Sequence, residues 1–192
     1  MRQILRSVVI VLLLSYGTAS RAENTLAPRR LDNSPTVSEI RSSIIGRGIA
    51  ACEVENYSKA VQLLEKFLNS RKVIATALEI KGFACLAIAY QNVGRSTQAV
   101  KTILQAISIT DDATVELADL EYTAGIIADL QNQQEMAIAH WEKARQLYLT
   151  YKADEQWSET TLNLAENYRD LGNMEKYQFL LQELEQVRKV LR

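Results

Sequence analysis

Proline is nearly absent from this sequence. Its two prolines, Pro28 and Pro35, lie near the N-terminus, leaving more than 150 consecutive residues without one. Proline breaks helices by removing a donor and clashing with the preceding turn, so that stretch is predicted to be all-α. Glycine is also scarce, at 7 residues. Two cysteines, Cys52 and Cys85, are too few for a disulfide framework and lack metal-ligand spacing. A single histidine, His140, leaves any Ser or Cys nucleophile only one candidate base. Glycine-rich phosphate loop, His-Glu metal pattern and nucleophile elbow are all missing, so no catalytic residue, metal or cofactor is expected, and the chain is not expected to be an enzyme. The net charge of −1 gives no basic surplus for nucleic acid and no acidic tail. What remains is 47% apolar and 23% charged residues, rich in Ala, Leu, Glu, Gln and Lys, the good helix formers.

The N-terminus has the order of a secretory signal peptide. Arg2 and Arg6 precede and flank an apolar run from Val8 to Leu14, and small and polar residues follow. Ser20-Arg21-Ala22 places cleavage after Ala22. Without residues 1–22 the chain carries 19 basic and 23 acidic residues, a net charge of −4. The alternative is an uncleaved membrane anchor over residues 4–19, although a spanning helix needs about 20 apolar residues. Residues 23–37 read as a flexible linker, polar and holding both prolines. The expected location is periplasmic or secreted, with the membrane only if the signal stays attached.

The rest, residues 38–192, repeats. Gly48 precedes Asn56-Tyr57, Ala60, Leu64 and Phe67. Ala87 and Tyr90 precede Gly94, Ala99, Ile103 and Ala106. Gly125 and Ala128 precede Asn132, Ala137, Trp141 and Ala144. Ala165 and Tyr168 precede Gly172, Tyr177, Leu181 and Leu184. The first small residue stands 12 positions before the second anchor each time, and successive copies are 39, 38 and 40 residues apart. These residues resemble the tetratricopeptide repeat family in a form longer than the usual ~34 residues. The third copy is in full register and the outer two depart at late positions. The resemblance implies an α-solenoid of about four antiparallel helix pairs in a right-handed superhelix, with repeats near 41–74, 80–113, 118–151 and 158–191. Extra residues fall around Arg71-Lys72, Asp111-Asp112 and Lys152-Asp154, where they lengthen helices or loosen turns. Helices are predicted over 37–54, 57–69, 73–93, 96–109, 114–131, 134–151, 155–171 and 173–191. Gly94 and Gly172 suit left-handed C-caps, and Ser96 is expected to cap the helix after it.

The resemblance also implies a function. The first helix of each pair lines a concave groove that holds a segment of a protein partner. Carried over by repeat position, the groove offers Lys81, Ile88, Asn92, Asp119, Tyr122, Ile126, Asp129, Glu159, Leu162, Glu166, Arg169 and Asp170. Ser42, Ile45, Gly46, Ile49, Cys52 and Glu53 hold the corresponding places in the first pair. The N-terminal half of this surface is apolar and the C-terminal half acidic, which suits an extended segment or helix with apolar anchors and a basic end. A carboxylate clamp is not expected, since only Lys81 and Asn92 would serve. On the last helix Tyr177, Leu180, Leu181, Leu184, Val187 and Leu191 form a stripe at helical spacing. Its outer side is expected to lack a partner within the chain, so a homo-oligomer or docking on another subunit would cover it. The reading is therefore an exported interaction adaptor, with a structural subunit of a membrane or envelope assembly as the alternative. His140 is expected on the surface, and Cys52 and Cys85 as two buried free thiols, with a disulfide as the lesser possibility.

Overall fold

A computed structural model describes residues 36–68, 76–110 and 114–190. Among the described residues there are eight helices and no strand: α1 Val37–Glu53, α2 Tyr57–Leu68, α3 Ala77–Asn92, α4 Ser96–Ile109, α5 Val115–Leu130, α6 Gln134–Thr150, α7 Asp154–Asp170 and α8 Met174–Val190. The chain is an all-α stack of four antiparallel pairs. Each helix packs on the next, and α1, α3 and α5 also pack on one another in succession. The signal peptide, the linker as far as Pro35 and Leu191 lie outside the described residues, while Thr36 and Val37, read as the end of the linker, are the N-cap and first residue of α1. Two of the three groups of extra residues also lie outside. The third group shows where the added length goes. Lys152 and Ala153 make a tight turn, and α6 and α7 are each 17 residues long.

The starts and stops follow from local chemistry. Thr36 and Glu39 form a capping box at α1, each satisfying the other's backbone N–H. Thr76 and Glu79 repeat the device, so α3 begins at Ala77 and not at 73. Ser96 is not a cap: Arg95 holds that place without a side-chain bond, and Ser96 is already helical. Five helices end in the same motif. A residue with positive φ (Glu55, Gly94, Asn132, Lys152 or Gly172) donates to the carbonyl three residues back, and the next residue donates five back. This is the Schellman closure, which satisfies the last carbonyls of a helix. Gly94 and Gly172 were legible as such caps; Glu55 and Lys152 hold the strained conformation without being glycine.

Within a pair, the crossing is set by a small residue. A Cβ on Gly48 would lie 2.5 Å from Leu64, and one on Gly125 would run into the Trp141 indole. These side chains fill the space that glycine leaves, so the helices approach closely. Between pairs, α5 is the dividing wall, with every residue from Glu121 to Ala128 buried. It gives Leu120, Ala124 and Ile127 to the core shared with α1–α4, and Tyr122, Ile126 and Ala128 to the core shared with α6–α8.

Cys52 and Cys85 are bonded, not free. They join α1 to α3 with their Cα atoms 6.1 Å apart, inside the range a disulfide spans. The terminal stripe is split between a packed inner side and an open outer residue, Leu181. Leu180 and Leu184 are buried, and Tyr177 and Val187 pack partly against them. The large apolar side chains left exposed on α8 are Met174, Phe179 and Leu181.

Candidate interaction surface

The candidate surface is the face built by α1, α3, α5 and α7, and most of its predicted residues turn toward the neighbouring helix. Ile88, Tyr122 and Ile126 are buried, so these three act as packing and not as an open lining. The Tyr122 hydroxyl accepts from Asn163 Nδ2 at 2.9 Å and hydrogen-bonds Glu159. Asp129 accepts from Asn167 at 3.1 Å. Asp119 accepts from the Tyr148 hydroxyl at 2.6 Å. Gln131 donates to Gln91 at 3.0 Å, and Arg41 meets Glu79 at 2.7 Å. Of the acidic residues of the C-terminal half, Asp129 and Glu159 thus bond across the α5–α7 junction and Asp119 bonds within its own pair. Sequence reasoning missed Asn167, Gln131, Tyr148 and the Arg41–Glu79 pair. The only signal for the last was the Thr-x-x-Glu pattern that opens α3.

Burial tunes these groups. It pushes the Tyr122 phenol well above its ordinary value, aided by the negative charge of Glu159 and opposed by the Asn163 hydrogen bond. Burial also raises the Glu159 carboxyl; the Tyr122 hydrogen bond opposes this and Glu155 adds to it. Lys81 is pulled down by burial, against the charges of Asp119, Glu53 and Glu116. Asn92 is exposed, with its amide donating to the Ile88 carbonyl.

Leu162, Glu166, Arg169 and Asp170 differ from the rest. They lie along the flank of α7 away from α5, with Arg169 bridging Glu166 at 2.5 Å and Asp170 at 3.1 Å. On the second helices, His140 is half-buried and not a free surface residue. Its Nδ1 lies 2.6 Å from the buried Glu121, which Lys143 also approaches at 3.6 Å. Beside them Arg145 stacks over Trp157 and reaches Thr161 on α7 and Glu183 on α8. Tyr168 donates to Glu142 and accepts from Lys176. Among the described residues no cluster of His, Cys, Asp and Glu could hold a metal ion, and no helix is long and apolar enough to cross a membrane.

No family model matches the chain, and no curated protein sequence does. Solved structures do. The TPR-like repeats of a Podosopora anserina protein of kinesin light chain type overlay it with a TM-score of 0.66 at 16% identity, covering 78% of this chain and 76% of that one. A point variant of those repeats gives 0.67 at 17% identity, covering 80% and 79%. MamA AMB-1 matches at 16% identity over 77% of this chain and 98% of its own, with a TM-score of 0.44, too low to bear on the fold. The first two likenesses establish the tetratricopeptide-like repeat fold.

Proposed function

We propose that this chain, a tetratricopeptide-like repeat stack by fold, is an exported scaffold that holds a segment of a protein partner against its first helices. The observation that carries the reading is the stack itself. Four pairs are fixed to one another by a covalent bridge and by side-chain contacts at every junction. A repeat array stiffened in this way presents a long preformed surface, so binding costs little ordering. Export is supported by the signal-like order of residues 1–22 and by the buried Cys52–Cys85 bridge, since disulfides persist in oxidising compartments.

The test is site-specific photocrosslinking in the source cell, with the reactive group at Asn92 on the first-helix face or at Lys101 on the second-helix face. Both positions are exposed. A protein adduct is expected from Asn92 and not from Lys101. Equal labelling from both positions, or none from Asn92, would refute the groove. Mature N-terminal sequencing beginning at Glu23 is the expected result for export; an intact Met1 on a membrane-bound chain would instead favour the anchored subunit.

A further inference from the structure

In register, α1 and α3 each pack on the next first helix, α5 reaches α7 through Tyr122 and Asp129, and among the described residues no helix lies over the matching flank of α7. Repeat register aligns Ile45, Ala84, Tyr122 and Leu162. Ile45 is 1% exposed, with its Cγ2 3.0 Å from where a Cβ on Gly82 of α3 would lie. Tyr122 is 1% exposed beneath Asn163 of α7. Leu162 keeps 44% of its surface. The second helices repeat the contrast. Leu64, Ile103 and Trp141 are at most 3% exposed, and Leu181 in the same register is 36% exposed. The α7–α8 face therefore carries, in the register of residues buried at the earlier junctions, two apolar side chains that stay open.

Its charge differs from those junctions. One turn beyond Leu162, the register position held by Ile49, Ile88 and Ile126 becomes Glu166. Glu155 and Asp170 stand on the same flank, against Arg169 alone. Leu162 flanked by a carboxylate surplus calls for a helix of matching length with a small or apolar stripe bordered by lysine or arginine. A carboxylate face would be repelled, and a helix presents anchors at i and i+3/i+4 spacing to such a flank.

We infer that the exposed α7–α8 face is a docking seat for a basic amphipathic helix of a partner protein. This surface is distinct from the groove proposed above. An adduct at Asn92 with no binding at Leu162 would sink this inference and leave that reading intact.

The experiment measures fluorescence anisotropy of labelled helical peptides, matched in length to α7, against the full mature chain. One peptide has an Ala/Leu stripe flanked by lysines. A second has the same stripe flanked by glutamates. A third has the lysine peptide's composition with the stripe scrambled. The first is expected to bind at least about tenfold more tightly than either other, a difference of about 1.4 kcal/mol. Leu162→Asp, Leu181→Asp and Glu166→Lys are each expected to weaken it by a similar factor; circular dichroism is expected to stay unchanged for the two exposed leucine sites, and it checks that Glu166→Lys, which breaks the Arg169 pair, leaves the fold intact. Equal binding of the lysine and scrambled peptides would reduce the seat to nonspecific charge and overturn the inference. So would full affinity in both leucine variants. Sedimentation velocity covers the remaining occupant: self-association abolished by Leu162→Asp would make a second copy, not a basic partner helix, the natural guest.

Discussion

Gly125→Ala and Gly46→Ala are the same substitution in the same kind of helix, and the structure gives them opposite signs. Replacing an interior helical glycine by alanine stabilises by about 0.5–1 kcal/mol through backbone entropy. Gly46 has nothing within 4 Å of the added Cβ, so the full gain is expected. At Gly125 the Cβ lands on the Trp141 indole, with Cε2 at 2.8 Å and two ring atoms nearer. Trp141 is buried, and its Nε1 donates to the Tyr122 carbonyl at 3.2 Å. A buried ring cannot swing clear. Overpacking of this kind costs about 1–3 kcal/mol, and loss of the indole hydrogen bond adds about 1. Against the propensity gain, the net is a loss of about 1–3 kcal/mol. Urea unfolding followed by circular dichroism and by tryptophan fluorescence measures both variants. A shift in the midpoint at constant slope reads stability directly. Non-coincident transitions would show the α5–α8 half melting first, which the two-core arrangement allows. Combining Gly125→Ala with Trp141→Phe is expected to cost less than the sum of the two single changes. If Gly125→Ala stabilises as Gly46→Ala does, the close crossing of α5 and α6 is wrong.

Lys152 holds φ 54, so Lys152→Gly relieves left-handed strain of about 1 kcal/mol and returns part of it as unfolded-state entropy; thermal denaturation is expected to move up by about 1–2 °C. The Cys52–Cys85 bridge spans 33 residues, and in the chain-entropy model its loss in the Cys52→Ala, Cys85→Ala double variant costs roughly 3–4 kcal/mol; intact-mass analysis of the purified mature chain should show no thiol reactive to alkylation, and two free thiols would refute the bridge. Glu159 has a raised carboxyl in the folded state, so the folded state holds its proton more tightly than the unfolded one. Its contribution is therefore most favourable below the ordinary value of 4.5 and is lost as pH rises from there through the raised value. Glu159→Gln, which keeps an acceptor for Tyr122, is expected to be more stable than the parent at pH 7 and equal to it near pH 4; an unchanged gap across that range would count against the burial argument. Asp129→Leu alone leaves the buried Asn167 amide without its acceptor and is expected to cost about 1–3 kcal/mol, whereas Asp129→Leu with Asn167→Leu is expected to recover most of the loss; additive effects would show that the two side chains do not act as a pair.

The helix pairs were legible because close approach leaves a residue-level signature. Gly48 and Gly125 must be small where Leu64 and Trp141 sit against them, and that constraint recurs with the repeat. The neighbours across a junction were not legible. Helical periodicity places Tyr122, Asp129, Asn163 and Asn167 on faces, but not which face meets which. The acidic residues therefore read as a solvated groove when Asp129 and Glu159 are bonds between repeats. The cysteine pair was half legible: repeat register puts Cys52 and Cys85 on neighbouring first helices, but only the packed structure brings their Cα atoms to 6.1 Å. His140 read as exposed because its partner, Glu121, sits 19 positions earlier on the preceding helix.

The junctions solve a problem that repeats create for themselves. Ile49, Ile88 and Ile126 occupy the same register position and are almost equally buried, so apolar packing alone would accept any pair next to any other. What differs is the polar or covalent contact added at each boundary. The first has the Cys52–Cys85 bridge and Arg41–Glu79, the second Gln91–Gln131, the third Tyr122–Asn163 and Asp129–Asn167. A mispaired stack would leave these buried donors and acceptors unmatched, at about 1–3 kcal/mol each. Such contacts contribute little net stability in the correct order and penalise the wrong ones. That is why the Asp129–Asn167 pair is expected to be replaceable as a pair and costly to break singly. On α7 the same register position carries Glu166 instead of isoleucine, so this flank offers a carboxylate beside the exposed Leu162 where the earlier first helices offer apolar packing.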